Sequence, residues 1–192
     1  VKQVEVGMVP EDKETYKAAR QFYRSFVESR NIRMSASNGW MRFLAATNRS
    51  QEGRKALRAY RTQKRLALIN RAKMVKLFEL LDEHRPDPVV IFTNHNETVY
   101  HISERRLVPA ITHETDIKER KEILQKFNDG IYQTIVTSKV LNEGVDVPRA
   151  QIGIVVAGSG STREHVQRLG RILRQWEGQT ATLYELVTDD TV

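Results

Sequence analysis

An α/β fold built on a parallel sheet follows from three observations on this chain of 192 residues. Beyond Pro86 and Pro88, short apolar runs alternate with amphipathic stretches, as a parallel sheet flanked by helices requires. The connections between these runs are short. Ahead of Pro86 the texture differs, with one alternating segment at the start and then helical periodicity carrying dense basic charge. The expected layout is a sheet-forming body whose first strand is separated from the rest by a basic helical insertion.

The elements can be justified in order. Residues 1–9 alternate enough for a first strand, and Pro10-Glu11-Asp12 then opens an acidic helix start running to about Ser29. Tyr16, Ala19, Tyr23 and Phe26 fall near helical spacing along it. Ser35-Ala-Ser-Asn-Gly39 reads as a linker. Helices are expected over 40–48 and 51–84, the second long enough to be broken. Its apolar positions Leu66, Ile69, Met74, Leu77, Leu80 and Leu81 fit packing of its second half on the main body. Strands follow at 88–93, 108–112, 132–137, 151–156 and 180–186, with helices at 95–106, 115–129 and 162–174 between them. The expected division is 1–30 as the first strand and helix of the α/β domain, 31–65 as the insertion, and 66–192 as the remainder.

The net charge of +7 is unevenly placed. Residues 1–70 hold 15 Lys/Arg against 6 Asp/Glu, whereas residues 71–192 hold 16 against 18. The basic excess therefore belongs to the first third. Arg42, Arg54, Arg58 and Arg61 stand in a segment opposed only by Glu28 and Glu52, which is an electrostatic footprint for a polyanion. Tyr23, Phe26, Trp40 and Phe43 are interleaved with it. They are of a kind to stack on bases, although aromatics at such spacing are more often core.

Composition excludes several classes. With no cysteine the chain holds neither a disulfide nor a thiolate metal site, which suits a reducing compartment. No apolar run approaches the roughly 18 residues that span a bilayer, so no membrane partner is expected. The start of the sequence lacks the apolar core of a secretory signal. The expected location is cytoplasmic, or nuclear in a eukaryote. The histidines, His84, His95, His101, His113 and His165, show no ligand spacing, so no metal site is expected from them.

Two segments carry chemistry. Gln167-Arg168-Leu169-Gly170-Arg171-Ile172-Leu173-Arg174 places two arginines three residues apart on one face of the expected 162–174 helix. A guanidinium keeps its charge at any relevant pH and offers a planar fork to phosphate oxygens, so the pair suits a phosphate clamp. Taken alone, such a pair is most often solvated surface charge. About twenty residues earlier, Thr134-Ile-Val-Thr-Ser138-Lys-Val-Leu-Asn-Glu143-Gly144-Val-Asp146-Val-Pro148 reads as a buried strand and a polar turn. Loops at the C-terminal ends of parallel strands are where α/β proteins put ligand contacts. There Asp146 can accept a hydrogen bond from a ribose hydroxyl, and Gly144 lets the backbone approach closely.

With these two segments the chain resembles the C-terminal motor domain of superfamily 2 helicases and translocases, in form and spacing of their motifs V and VI, and most closely the XPB family. Val89-Val-Ile-Phe-Thr93-Asn94 resembles motif IV. Ile111-Thr112-His-Glu-Thr115-Asp-Ile-Lys-Glu119-Arg120-Lys-Glu-Ile-Leu-Gln-Lys-Phe127 resembles the segment that follows it. The resemblance covers roughly residues 70 to 190 and implies a RecA-like sheet, with the basic insertion standing where the family has its thumb.

What the resemblance implies is specific. Arg171 and Arg174 would be arginine fingers, and Gln167 would couple the nucleotide to the opposite domain. Gly144, Asp146, Glu143 and Gly170 would lie on the ATP side. Thr93, Asn94, Thr112, Thr137 and Ser138 fall where the family touches the phosphates of the tracking strand, single-stranded or forked DNA. Hydroxyl and amide groups suit that task because they hold a backbone without reading bases. ATP with magnesium would be the cofactor. Yet the chain has no Gly-x-x-x-x-Gly-Lys-Ser/Thr loop; the segment from Gly153 to Gly158 has the glycine spacing but puts Ser159 where the lysine must be. The magnesium and the phosphate loop would then belong to an N-terminal RecA-like half of the same protein, and this segment alone should not hydrolyse ATP. Movement 3′ to 5′, a role in DNA repair or transcription-linked DNA opening, and a nuclease or repair-complex partner are further implications. Two other readings stay open on the sequence: a non-enzymatic nucleic-acid-binding module derived from a motor domain, and the motor subunit of a restriction enzyme.

Overall fold

The computed structural model describes residues 1–138, 147–156, 181–189 and 191. The chain divides into two compact units, one of Met8–Arg71 and one of Val1–Gly7 with Ala72–Val192. These divisions fall at 7/8 and 71/72, whereas the sequence placed them at 30/31 and 65/66. The physical reason is that the first long helix packs on the third, and so groups with the basic helices.

The helical unit holds α1 (Pro10–Ser29), α2 (Gly39–Asn48) and α3 (Gln51–Leu68). Pro10 opens α1, where its missing N–H costs nothing, and Glu11 and Asp12 oppose the positive end of the helix dipole. The helix ends in a Schellman motif. Asn31 sits at φ 49°, the Ile32 amide donates to the Val27 carbonyl at 2.9 Å and the Asn31 amide to Glu28 at 3.1 Å. Ile32 then folds back into a core with Phe26, Val27, Phe43 and Ala56.

Helix α3 starts at Ser50, whose hydroxyl accepts from the Gly53 amide at 2.9 Å. Glycine is required at 53 for a steric reason. A Cβ there would lie 2.7 Å from the Ala46 carbonyl oxygen and from the Thr47 Cα, both backbone atoms of α2. Gly53→Ala gains about 1 kcal/mol in helix propensity, but backbone cannot yield as a side chain does. We expect a net loss of about 1–3 kcal/mol from the overpacked junction, read as a lower urea or thermal midpoint. A midpoint at or above wild type would show that the α2–α3 turn opens without cost.

The second unit contains a parallel sheet of six strands in the order β1-β6-β5-β2-β4-β3, with β1 at Lys2–Val6, β2 at Val89–Thr93, β3 at Ala110–Ile111, β4 at Thr134–Thr137, β5 at Ile152–Val156 and β6 at Thr182–Thr188. Every pairing is parallel. Each strand coincides with an expected one, trimmed or shifted by a few residues. The central strands β2 and β5 are buried along their whole length, as a sheet covered on both faces demands. One face carries Val90, Phe92, Ile135 and Val155 in a core with Ile123 and Phe127.

Around the sheet are α4 (Arg71–Glu83), α5 (Asn96–Arg106) and α6 (Ile117–Asn128). The expected 51–84 helix is thus two, separated where the Ile69 backbone turns extended. Helix α6 is capped by Asp116 and ends at Gly130, whose φ of 81° only glycine adopts freely. The helix expected over 162–174 lies outside the described residues.

Candidate nucleic-acid interface

The strand register decides which residues meet. Phe92 on β2 pairs with Thr137 on β4, and Ile111 on β3 pairs with the same Thr137. One residue further along each strand, Thr93, Ser138 and Thr112 therefore stand at one level on the C-terminal edge of three adjacent strands. Neighbouring strands lie about 4.8 Å apart, so this is a row of hydroxyl residues roughly 10 Å long. The Ser138 amide donates to the Ile111 carbonyl at 3.0 Å, which holds the row in register. Asn94 follows directly, half-buried at the start of the loop into α5.

The members of the row are not equivalent. Thr112 is fully buried; its hydroxyl accepts from the Glu114 amide at 3.2 Å and lies 3.1 Å from the Tyr100 hydroxyl. Its own amide donates to Thr115 Oγ1 at 2.8 Å. Thr137 is also fully buried, and its hydroxyl donates to the Ser138 carbonyl at 2.9 Å. Both side chains hold the loop shape. The side chains of Thr93, Asn94 and Ser138 make no hydrogen bond among the described residues; Thr93 and Ser138 are buried at 5% and 6% exposure, and Asn94 is the most accessible of the three.

Sequence reading missed the residues that lock this edge. Tyr100 on α5 donates to Glu114 at 2.8 Å, and Asn96 meets His113 Nδ1 at 2.9 Å. These two links tie α5 to the turn after β3. Their partners are 14 and 17 residues apart and lie on different elements, so no local spacing announces them. Only the register of β2 and β3 brings them together.

In the helical unit, Arg54, Arg58 and Arg61 are exposed on α3 at i, i+4 and i+7, one face of the helix, and Arg42 is exposed on α2. Phe26 and Phe43 are core, whereas Trp40 rests 5.2 Å from Tyr60 and 5.6 Å from Phe43, ring to ring, and stays 42% exposed. Gln167, Gly170, Arg171, Arg174, Glu143, Gly144 and Asp146 lie outside the described residues. Among the described residues no three His, Asp or Glu side chains come together as a metal site.

Comparison with known proteins extends this picture. A family model of the ERCC3/RAD25/XPB C-terminal helicase matches residues 49–192. The chain is 38% identical over 191 residues to a DNA 3′-5′ translocase XPB2 of Sulfurisphaera tokodaii, matching all of this chain and 43% of that protein. It is 36% identical over 118 residues, 57% of its length, to the XPB subunit of the general transcription and DNA repair factor IIH of Drosophila melanogaster, of which it covers 15%. The chain thus spans less than half the length of these relatives. In fold it is similar to a Sulfolobus solfataricus SWI2/SNF2 ATPase core solved in complex with double-stranded DNA, with a TM-score of 0.69, 19% identity, and coverage of 97% of this chain and 40% of that one. By residues matched and by fold, the chain belongs to the ERCC3/RAD25/XPB C-terminal helicase family and is its RecA-like domain.

Proposed function

We propose that this chain is the C-terminal half of an ATP-driven DNA translocase or helicase moving 3′ to 5′. The observation that carries the reading is the row of Thr93, Ser138 and Thr112 with Asn94, levelled by the β2-β4-β3 register, in a chain of this family. Such an edge offers amide, hydroxyl and backbone donors to a phosphate chain and nothing aimed at base edges. A motor needs that kind of grip, because it must step along any sequence.

In this reading Asn94, Thr93 and Ser138 touch the tracking strand, while Thr112 and Thr137 position the loops that carry them. Bound Mg-ATP supplies the γ-phosphoryl group whose transfer to water drives movement. The sequence contains no Gly-x-x-x-x-Gly-Lys-Ser/Thr loop, so in this reading the phosphate loop, and the magnesium with it, fall to the N-terminal RecA-like half. Arg171 and Arg174 serve as fingers, Gln167 as the coupling residue, and Gly144, Asp146, Glu143 and Gly170 as the nucleotide side of this half. Arg42, Arg54, Arg58 and Arg61 add electrostatic attraction for DNA. The Drosophila relative, a subunit of the general transcription and DNA repair factor IIH, supports a repair or transcription complex as the setting.

The test is DNA-stimulated ATP hydrolysis by the chain alone and after joining it to its phosphate-loop half. The expected result is salt-sensitive DNA binding without hydrolysis alone, and hydrolysis once completed. Turnover by the isolated chain would overturn the half-motor reading; binding with no activity in any completed form would leave a nucleic-acid-binding module.

A further inference from the structure

A groove of about 460 Å³ opens in the helical unit between α2 and the turn after α1. Two of its walls are Arg42 and Arg49, with Ala45 and Ala46 between them. The four residues stand at i, i+3, i+4 and i+7 and so share one helix face. The two arginines are two turns, roughly 10 Å, apart along the axis, and only methyl groups separate them. Ile32 adds to the apolar lining.

The third wall is Arg30, which is held rather than free. Its guanidinium lies 3.9 Å from the Phe26 ring centroid, donates to Glu52 at 2.9 Å and to Ser29 Oγ at 3.2 Å. Ser50 also lines the groove; its oxygen is occupied as an acceptor by the Gly53 amide, which leaves its proton for an outside acceptor. Arg42 and Arg49 are exposed and make no ion pair among the described residues. Two unpaired guanidinium groups, a third fixed in orientation, and one carboxylate, Glu52, leave the groove with a net positive charge.

We propose that this groove binds the phosphodiester backbone of a nucleic-acid strand, with Arg42 and Arg49 each holding a phosphate and the alanine floor receiving the sugar between them. The proposal rests on the nucleic-acid reading above and adds a site to it. An isolated phosphate reaches one of the two arginines; a chain of phosphates reaches both, with apolar sugar matched to the apolar floor. The surrounding unit favours an extended polyanion, since Met8–Arg71 carries 15 Lys/Arg against 5 Asp/Glu.

The decisive variant changes no charge. Ala45→Leu at an exposed helical position fills the trough and leaves every arginine in place, so the general field of the unit is unaltered. Binding of a single-stranded oligonucleotide to the full-length protein is measured by fluorescence anisotropy over a salt series. We expect Ala45→Leu to weaken binding on the order of fivefold and to flatten the salt dependence, and Arg49→Ala to lower the slope of log K against log salt by about 0.7. Wild-type affinity and slope in Ala45→Leu would overturn the proposal, and if Arg49→Ala lowers the melting temperature, that variant still decides. Failure of the wild-type protein to bind any oligonucleotide would instead bring down the nucleic-acid reading itself. Inorganic phosphate or polyglutamate displacing the oligonucleotide at equal charge concentration, and doing so only while Arg49 is present, would assign the groove to a free anion or an acidic protein and reject the backbone.

Discussion

We expect Arg171→Ala in the full-length protein to lower DNA-stimulated ATP turnover on the order of a thousandfold, while nucleotide affinity changes far less. The asymmetry follows from the task of an arginine finger. Charge on the transferring phosphoryl oxygens is redistributed in the transition state, so a guanidinium placed for that moment contributes little before it. A thousandfold corresponds to about 4 kcal/mol of transition-state stabilisation, more than a surface charge supplies and within the range for one desolvated, well-aimed group. Arg171→Lys should recover little, because an ammonium lacks the planar fork. The measurement is steady-state ATPase with saturating DNA, paired with equilibrium binding of a labelled nucleotide. Turnover within a fewfold of wild type, or an equal loss in binding and turnover, would remove the finger assignment from this residue.

The sheet was legible in the sequence because its strands are buried on both faces. β2 reads Val89-Val-Ile-Phe-Thr93 and β5 reads Ile152-Gly-Ile-Val-Val156, runs with no polar alternation, bounded by turn residues. Helix α1 was legible to the residue, since Pro10 and two acids mark its start. The break between α3 and α4 was visible only as a length too great for one helix. What fixes it is a backbone event, Ile69 turning extended with its amide on the Arg65 carbonyl at 2.6 Å, and no side chain advertises that. Likewise the grouping of α1 with the basic helices follows from its packing on α3, where Tyr23 meets Tyr60 at 5.3 Å ring to ring, a long-range outcome that charge counting does not reveal.

The strand-edge row shows the same limit at the site. The family resemblance implied Thr93, Asn94, Thr112, Thr137 and Ser138 as one set, and the register brings Thr93, Thr112 and Ser138 to one level. The resemblance did not divide the set by hydrogen bonding, because that depends on Tyr100 and the Glu114 amide engaging the Thr112 hydroxyl. Hydroxyl residues look alike in a sequence. Hydrogen-bond partners separate them: Thr112 and Thr137 are engaged in holding the loop, whereas Thr93 and Ser138, although buried too, make no side-chain hydrogen bond among the described residues.

Lys73 gives the second large expectation, and it concerns stability. This lysine near the start of α4 is fully buried, and loss of hydration lowers its pKa from 10.5 to about 7. In the unfolded chain the amine binds its proton as pH falls through its ordinary value, whereas in the folded protein it does so only near 7. Between those values the unfolded state holds more protons, so stability rises with pH across the window, by up to about 1.4 kcal/mol per unit, and is flat below it. Tyr23 works in the opposite sense. Burial chiefly, with Tyr60 adding to it, raises its pKa above 10, so its contribution is lost only as pH rises beyond that value. The interval from about 7 to 10 therefore belongs mainly to the lysine. Urea unfolding of the chain across this interval should show the midpoint climbing, and Lys73→Met, of similar volume and never charged, should flatten the climb and raise stability at neutral pH. Methionine removes whatever polar contact the amine makes, which offsets part of that gain, but the slope reports the proton alone. A wild-type midpoint independent of pH over this range, or a Lys73→Met variant that climbs in parallel with wild type, would mean the amine keeps its proton in the folded state, matched by a partner strong enough to cancel its burial.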